Sequence, residues 1–99
     1  MNQVQLKFSK GEAIKYISHR DLMRVFQRAI RRAEIPIAFS QGFNPHMKIS
    51  WGQALKLGKT SESELATIQL AAPMTPREIM SRLNQELPQG LEILEAFLV

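Results

Sequence analysis

Three observations predict an α+β fold of the ferredoxin-like, split βαβ kind, with an antiparallel sheet and two helices on one of its faces. Apolar residues alternate with polar ones or gather in short apolar runs in four places, and recur at helical spacing in two others. The resulting order is strand, helix, strand, strand, helix, strand. A length of 99 residues allows one domain with a modest core.

The first strand is read from Val4, Leu6 and Phe8 alternating with Gln3, Gln5 and Lys7. Ser9-Lys10-Gly11-Glu12 is expected to end it, and Ala13 to Ile17 to continue the strand or form a turn. Ser18-His19-Arg20-Asp21 then has the form of a capping box, with Ser18 as N-cap and Asp21 reaching back to its amide. Leu22, Val25, Phe26, Ala29, Ile30 and Ala33 follow at helical spacing, which predicts a helix from Ser18 to Ala33. Glu34-Ile35-Pro36 should end it, because the residue before proline is driven out of the α region.

Ile37-Ala38-Phe39 is a short apolar run, and Ser40 to His46 is rich in turn chemistry through Gly42 and Asn44-Pro45. Met47 to Trp51 reads as a strand, Gly52 to Ser63 as a loop containing Gly58 and Lys59-Thr60-Ser61, and Leu65 to Leu70 as a strand with Ala66, Ile68 and Leu70 on one face. Thr75-Pro76-Arg77-Glu78 opens a second helix, with proline at the favoured first position and Ile79, Met80, Leu83 and Leu87 on its apolar side. Pro88-Gln89-Gly90 stops that helix, and Leu91 to Val99 reads as a closing strand.

Composition narrows the function. The chain is 44% hydrophobic and 22% charged, which fits a globular protein. There is no apolar run long enough to span a membrane and no signal-peptide pattern at Met1 to Gln5. The absence of cysteine excludes disulfides and cysteine-held clusters in this chain. A cytoplasmic protein without a cofactor of its own is the expectation. The net charge of +4 is uneven: residues 1–50 carry +6 and residues 51–99 carry −2. A basic half of this kind points to an anionic partner, RNA or an acidic protein face.

The basic half concentrates on the first helix. At about 100° per residue, Arg20, Arg24, Arg28 and Arg31 fall within about 80° of one another, with Arg32 beside them and the apolar residues opposite. Guanidinium groups this close repel one another without a counter-anion and match phosphate geometry. A solvated helix face is the alternative. His19, at the helix start, suits an anion contact or an acid–base role, and equally a plain polar first turn. The following loop offers Gln41, Phe43, Asn44, His46 and Lys48, which could contact single-stranded RNA by stacking and phosphate pairing, or form a turn with Phe43 tucked into the core. The helix and the loop together form an expected composite site. Neither histidine has metal-ligand spacing, and no phosphate-binding glycine loop is present. His19 with His46 leaves a metal-independent ribonuclease as a further alternative.

Several segments carry a resemblance. Lys7-Phe8-Ser9-Lys10-Gly11, Tyr16 to Arg24, Arg28 to Ala33, Pro36, and Ser40-Gln41-Gly42-Phe43-Asn44-Pro45-His46-Met47-Lys48 together resemble the radical-SAM-linked bacterial domains of unknown function. Those domains are fused to, or encoded beside, B12-binding radical SAM proteins. The resemblance spans roughly residues 4 to 95, and implies a non-catalytic accessory domain that partners a radical SAM protein by presenting an RNA or by docking to it. It also implies that the chain is the N-terminal part of a longer domain. Arg20, where the family usually has an apolar residue, and Met47, where it often has proline, depart from the pattern.

Overall fold

The computed structural model describes residues 2–52, 58 and 60–99. Four strands and two helices follow in the expected order: β1 (Gln3–Lys10), α1 (His19–Arg32), β2 (Ile49–Trp51), β3 (Ser61–Gln69), α2 (Pro76–Glu86) and β4 (Leu91–Leu98). They form an α+β fold around one open antiparallel sheet of order β2-β3-β1-β4. Both β1 and β2 run antiparallel to β3, so they are parallel to each other and α1 is the crossover between them. This is the ferredoxin-like arrangement.

Alternation in β1 decides which face is covered. Val4, Leu6 and Phe8 are fully buried, while Gln3, Gln5 and Lys7 are half-buried on the other face. Val4, Leu6 and Ile68 pack with Leu22, Phe26 and Ile30 of α1 and Ile79 and Leu83 of α2 in a single core cluster. Trp51 lies edge-on to both Phe26 and Phe8, with centroids 5.1 and 6.2 Å away, and fixes the N-terminal half of α1 over the sheet.

Both helix starts are built as expected, but only in half. Ser18 Oγ accepts from the Asp21 amide at 3.1 Å, and Thr75 Oγ1 from the Glu78 amide at 3.2 Å. Each N-cap contributes about 1 kcal/mol. The acidic side chains turn the other way: the Asp21 carboxylate lies 3.8 Å from Arg24, and that of Glu78 lies 2.8 Å from Arg82.

Several boundaries differ from expectation. β1 continues through Ser9 and Lys10, because both remain in register with Glu92 and Leu91 of β4, and Lys10 is buried. The segment after it forms a 3-10 turn over Glu12–Ile14. β3 starts at Ser61, four residues before the expected Leu65, since pairing with Lys10 extends it. Of the loop expected over Gly52 to Ser63, residues 53–57 and 59 lie outside the described residues. β2 is shorter than expected, with Met47 forming an isolated bridge to Phe39, and Ile37 a bridge to Leu70.

The end of α1 has a different cause from the one expected. Glu34 takes the left-handed conformation at φ +56°, the Ile35 amide reaches back to the Ile30 carbonyl at 3.2 Å, and the Glu34 amide to Arg31 at 3.1 Å. This is a Schellman cap, closed by the buried pair Ile30 and Ile35. Pro36 follows the stop. It does not make it.

Candidate functional site

The rotational phase of α1 is set by the residues it buries. Leu22, Phe26, Ala29 and Ile30 face the sheet, and this turns Arg20, Arg24, Arg28 and Arg31 out to solvent. The stripe runs about 16 Å along the helix, at 1.5 Å per residue. Among the described residues, Arg20, Arg28 and Arg31 have no carboxylate within ion-pair distance, and Arg24 has only the loose, exposed contact to Asp21. Such an exposed pair is worth little. Arg32 behaves differently: its Nε donates to Glu86 Oε1 at 2.9 Å, which ties α1 to the end of α2. It belongs to the helix–helix junction, and the free stripe has four members.

His19 points away from this stripe. Its ring is half-buried edge-on against Trp51, with centroids 5.7 Å apart, and its Nδ1 is buried without a hydrogen-bond partner. The ring thus closes the aromatic cluster at the start of α1.

The loop between α1 and β2 is held by its own hydrogen bonds. The Ser40 amide donates to the His46 carbonyl at 2.8 Å, the His46 amide to Ser40 Oγ at 3.1 Å, and His46 Nδ1 lies 3.0 Å from the Asn44 carbonyl. A carbonyl only accepts, so Nδ1 carries the proton in this contact. Gly42 at φ +127° turns the chain at the tip, a conformation that favours glycine. Phe43 is fully exposed there, not tucked into the core. Gln41 and Asn44 are exposed beside it.

Beyond the loop, Met47 is buried and Ile49 and Trp51 are half-buried toward the helices, so Lys48 and Ser50 project on the uncovered face of the sheet. There they adjoin a cavity of about 300 Å³. Its floor is Gln3, Ser50, Thr67 and Gln69, where Gln3 stands opposite Gln69 and Ser50 opposite Thr67. Its rim is Ser40, His46 and Lys48. The expected composite site is therefore divided. The arginines lie on the outer side of α1, whereas His46 and Lys48 lie on the opposite face of the sheet, because α1 covers one face and the cavity opens on the other. For the same reason, His19 and His46 are not brought together as a catalytic pair.

The residues of the cavity floor were not among those picked out by composition or motif. Their alternation in β1 and β3 was the available signal, but which polar residues meet depends on strand register. Among the described residues, no three His, Asp or Glu side chains come together in a way that could hold a metal ion, and no helix is long and apolar enough to cross a membrane.

Comparison with known families gives a match over residues 3–99 to the family described as "Uncharacterized protein conserved in bacteria (DUF2344)". The chain belongs to this family. No curated protein matches it by sequence. The match takes in all four strands and both helices of this DUF2344 member, so the arginine face of α1 and the loop to β2 both fall within the matched span.

Proposed function

We propose that this DUF2344 member is a non-catalytic accessory domain that binds RNA through the backbone phosphates, using Arg20, Arg24, Arg28 and Arg31. The observation that carries the reading is a line of four exposed guanidinium groups, three of them without a carboxylate partner among the described residues. Side chains one helical turn apart present their forks at intervals suited to successive phosphates of a strand. The basic first half of the chain adds long-range attraction for a polyanion. The resemblance to radical-SAM-linked domains supports the partner: a radical SAM protein whose RNA substrate this domain would hold.

The test is RNA binding as a function of salt. Four engaged phosphates give a log–log slope of about −3 to −4 on a structured RNA. Arg24→Glu with Arg28→Glu should weaken binding about 100-fold near 100 mM salt and reduce the slope by about 2. Absence of RNA binding at low salt, or an unchanged affinity in the double variant, overturns the reading. A pull-down with the radical SAM partner that survives nuclease and is lost in the double variant would assign the stripe to protein docking.

A further inference from the structure

We infer that the uncovered face of the sheet is a second nucleic-acid site, which takes unpaired nucleotides of an RNA and is separate from the phosphate-binding helix. The inference rests on RNA as the partner but on a different surface. The cavity beside β2 is lined by a lysine, a histidine, hydroxyls and amides together with Met47 and Ile49, and has no carboxylate among its lining residues. Lys48 has no ion-pair partner among the described residues. Two acidic residues of this face, Glu92 and Glu95, sit on β4 at the far side of the sheet, opposite Ser9 and Lys7, and Glu95 lies 3.6 Å from Lys7.

The chemistry of the cavity fits one nucleotide better than a bare anion. Gln3 and Thr67 offer both donors and acceptors to a base edge or a ribose hydroxyl, and Ser50 adds a hydroxyl. His46, its ring held by the Nδ1 contact to the Asn44 carbonyl, lines the cavity with Lys48, which supplies the phosphate contact. A volume of about 300 Å³ is at the small end of ligand sites and suits a single nucleotide.

Two exposed aromatics flank this surface. Phe43 is presented at the tip of a loop that three internal hydrogen bonds hold in place, so its exposure is built in. Phe97, a little under half exposed, stands opposite Gln5, which in turn stands opposite Thr67 and, beyond it, Ser50. Ser50, Thr67, Gln5 and Phe97 form one row across four strands, about 14 Å long at the usual strand spacing. Such a row can carry a short stretch of single strand, with bases stacked on aromatic rings and hydrogen-bonded to the polar floor.

The experiment compares two probes by fluorescence anisotropy: an eight-nucleotide single-stranded RNA and a blunt RNA duplex without unpaired bases. The proteins are the unaltered chain, Phe43→Ala/Lys48→Gln, and Arg24→Glu/Arg28→Glu. Phe43 is fully exposed and Lys48 is exposed, so the first variant should melt like the unaltered chain. It should bind the single strand about tenfold or more weakly and the duplex within twofold of the unaltered chain. An equal loss on both probes, or none on the single strand, overturns the sheet site. Displacement of the single strand by millimolar inorganic phosphate also overturns it, by reducing the cavity to an anion site. Duplex binding that is absent or unaffected by the arginine variant, while the single strand responds to Phe43→Ala/Lys48→Gln, removes the helix reading and leaves the sheet site standing.

Discussion

The two helices start alike, yet Arg82 of α2 and the arginine stripe of α1 end up with opposite roles. Each opens on a hydroxyl N-cap three residues before an acid, and each acid lies near an arginine one turn further on. In α2, Arg82 is absorbed by the fold: one Nη bonds Glu78 at 2.8 Å and the other donates to the Ala33 carbonyl at 3.2 Å, at the C-terminus of α1. In α1, Arg20, Arg28 and Arg31 meet no acid among the described residues, and the Asp21–Arg24 contact is long. An arginine's role is thus read from what neutralises it. Arg32 makes the same point within α1 itself, since a single contact to Glu86 moves it from the open stripe to the helix junction.

The comparison can be broken in four ways. The largest effect is expected from Arg24→Glu/Arg28→Glu, with RNA affinity down about 100-fold and thermal stability nearly unchanged, as for surface substitutions in general. Titrations and melts on the same samples check both halves, and a large drop in stability would mean that the stripe is structural. Next comes Arg82→Met. It removes two hydrogen bonds, including one to a helix-terminal carbonyl, and should cost about 1–2 kcal/mol in urea unfolding while RNA affinity stays the same. Ser18→Ala and Thr75→Ala should each cost about 1 kcal/mol, so unequal losses would show that one helix start is carried by packing instead. The smallest effect is a gain. Glu34→Gly relieves a left-handed non-glycine residue and removes an acid from a helix C-terminus, and should raise stability by up to about 1 kcal/mol, read as a higher Tm.

Much of the fold was legible because periodicity is local. The alternation in Val4-Gln5-Leu6-Lys7-Phe8 and the spacing of Leu22, Phe26, Ala29 and Ile30 each report which side of an element meets the core, and both were buried accordingly. The strand limits were less legible. Ser9 and Lys10 look like a stop, yet β4 and β3 hold them in the sheet. The Schellman cap at Glu34 was hidden because glutamate carries no left-handed signal, and the cap is held by Ile30 and Ile35 closing over it. At the candidate site, the stripe was visible on a helical wheel. The loop was visible as a set of polar residues around Phe43, but its side of the molecule was not.

Element order, the two capped helices and the alignment of Arg20, Arg24, Arg28 and Arg31 follow from local sequence, since all of these depend on residues within a few positions of one another. The pairing of Arg32 with Glu86, the exposure of Phe43, and the cavity shared by Gln3, Ser50, Thr67 and Gln69 with His46 and Lys48 come from long-range packing. Those facts depend on strand register and on which face of the sheet the helices cover. Both are set by burying Leu22, Phe26, Ile79 and Leu83 against Val4, Leu6 and Ile68, contacts between segments far apart in the chain.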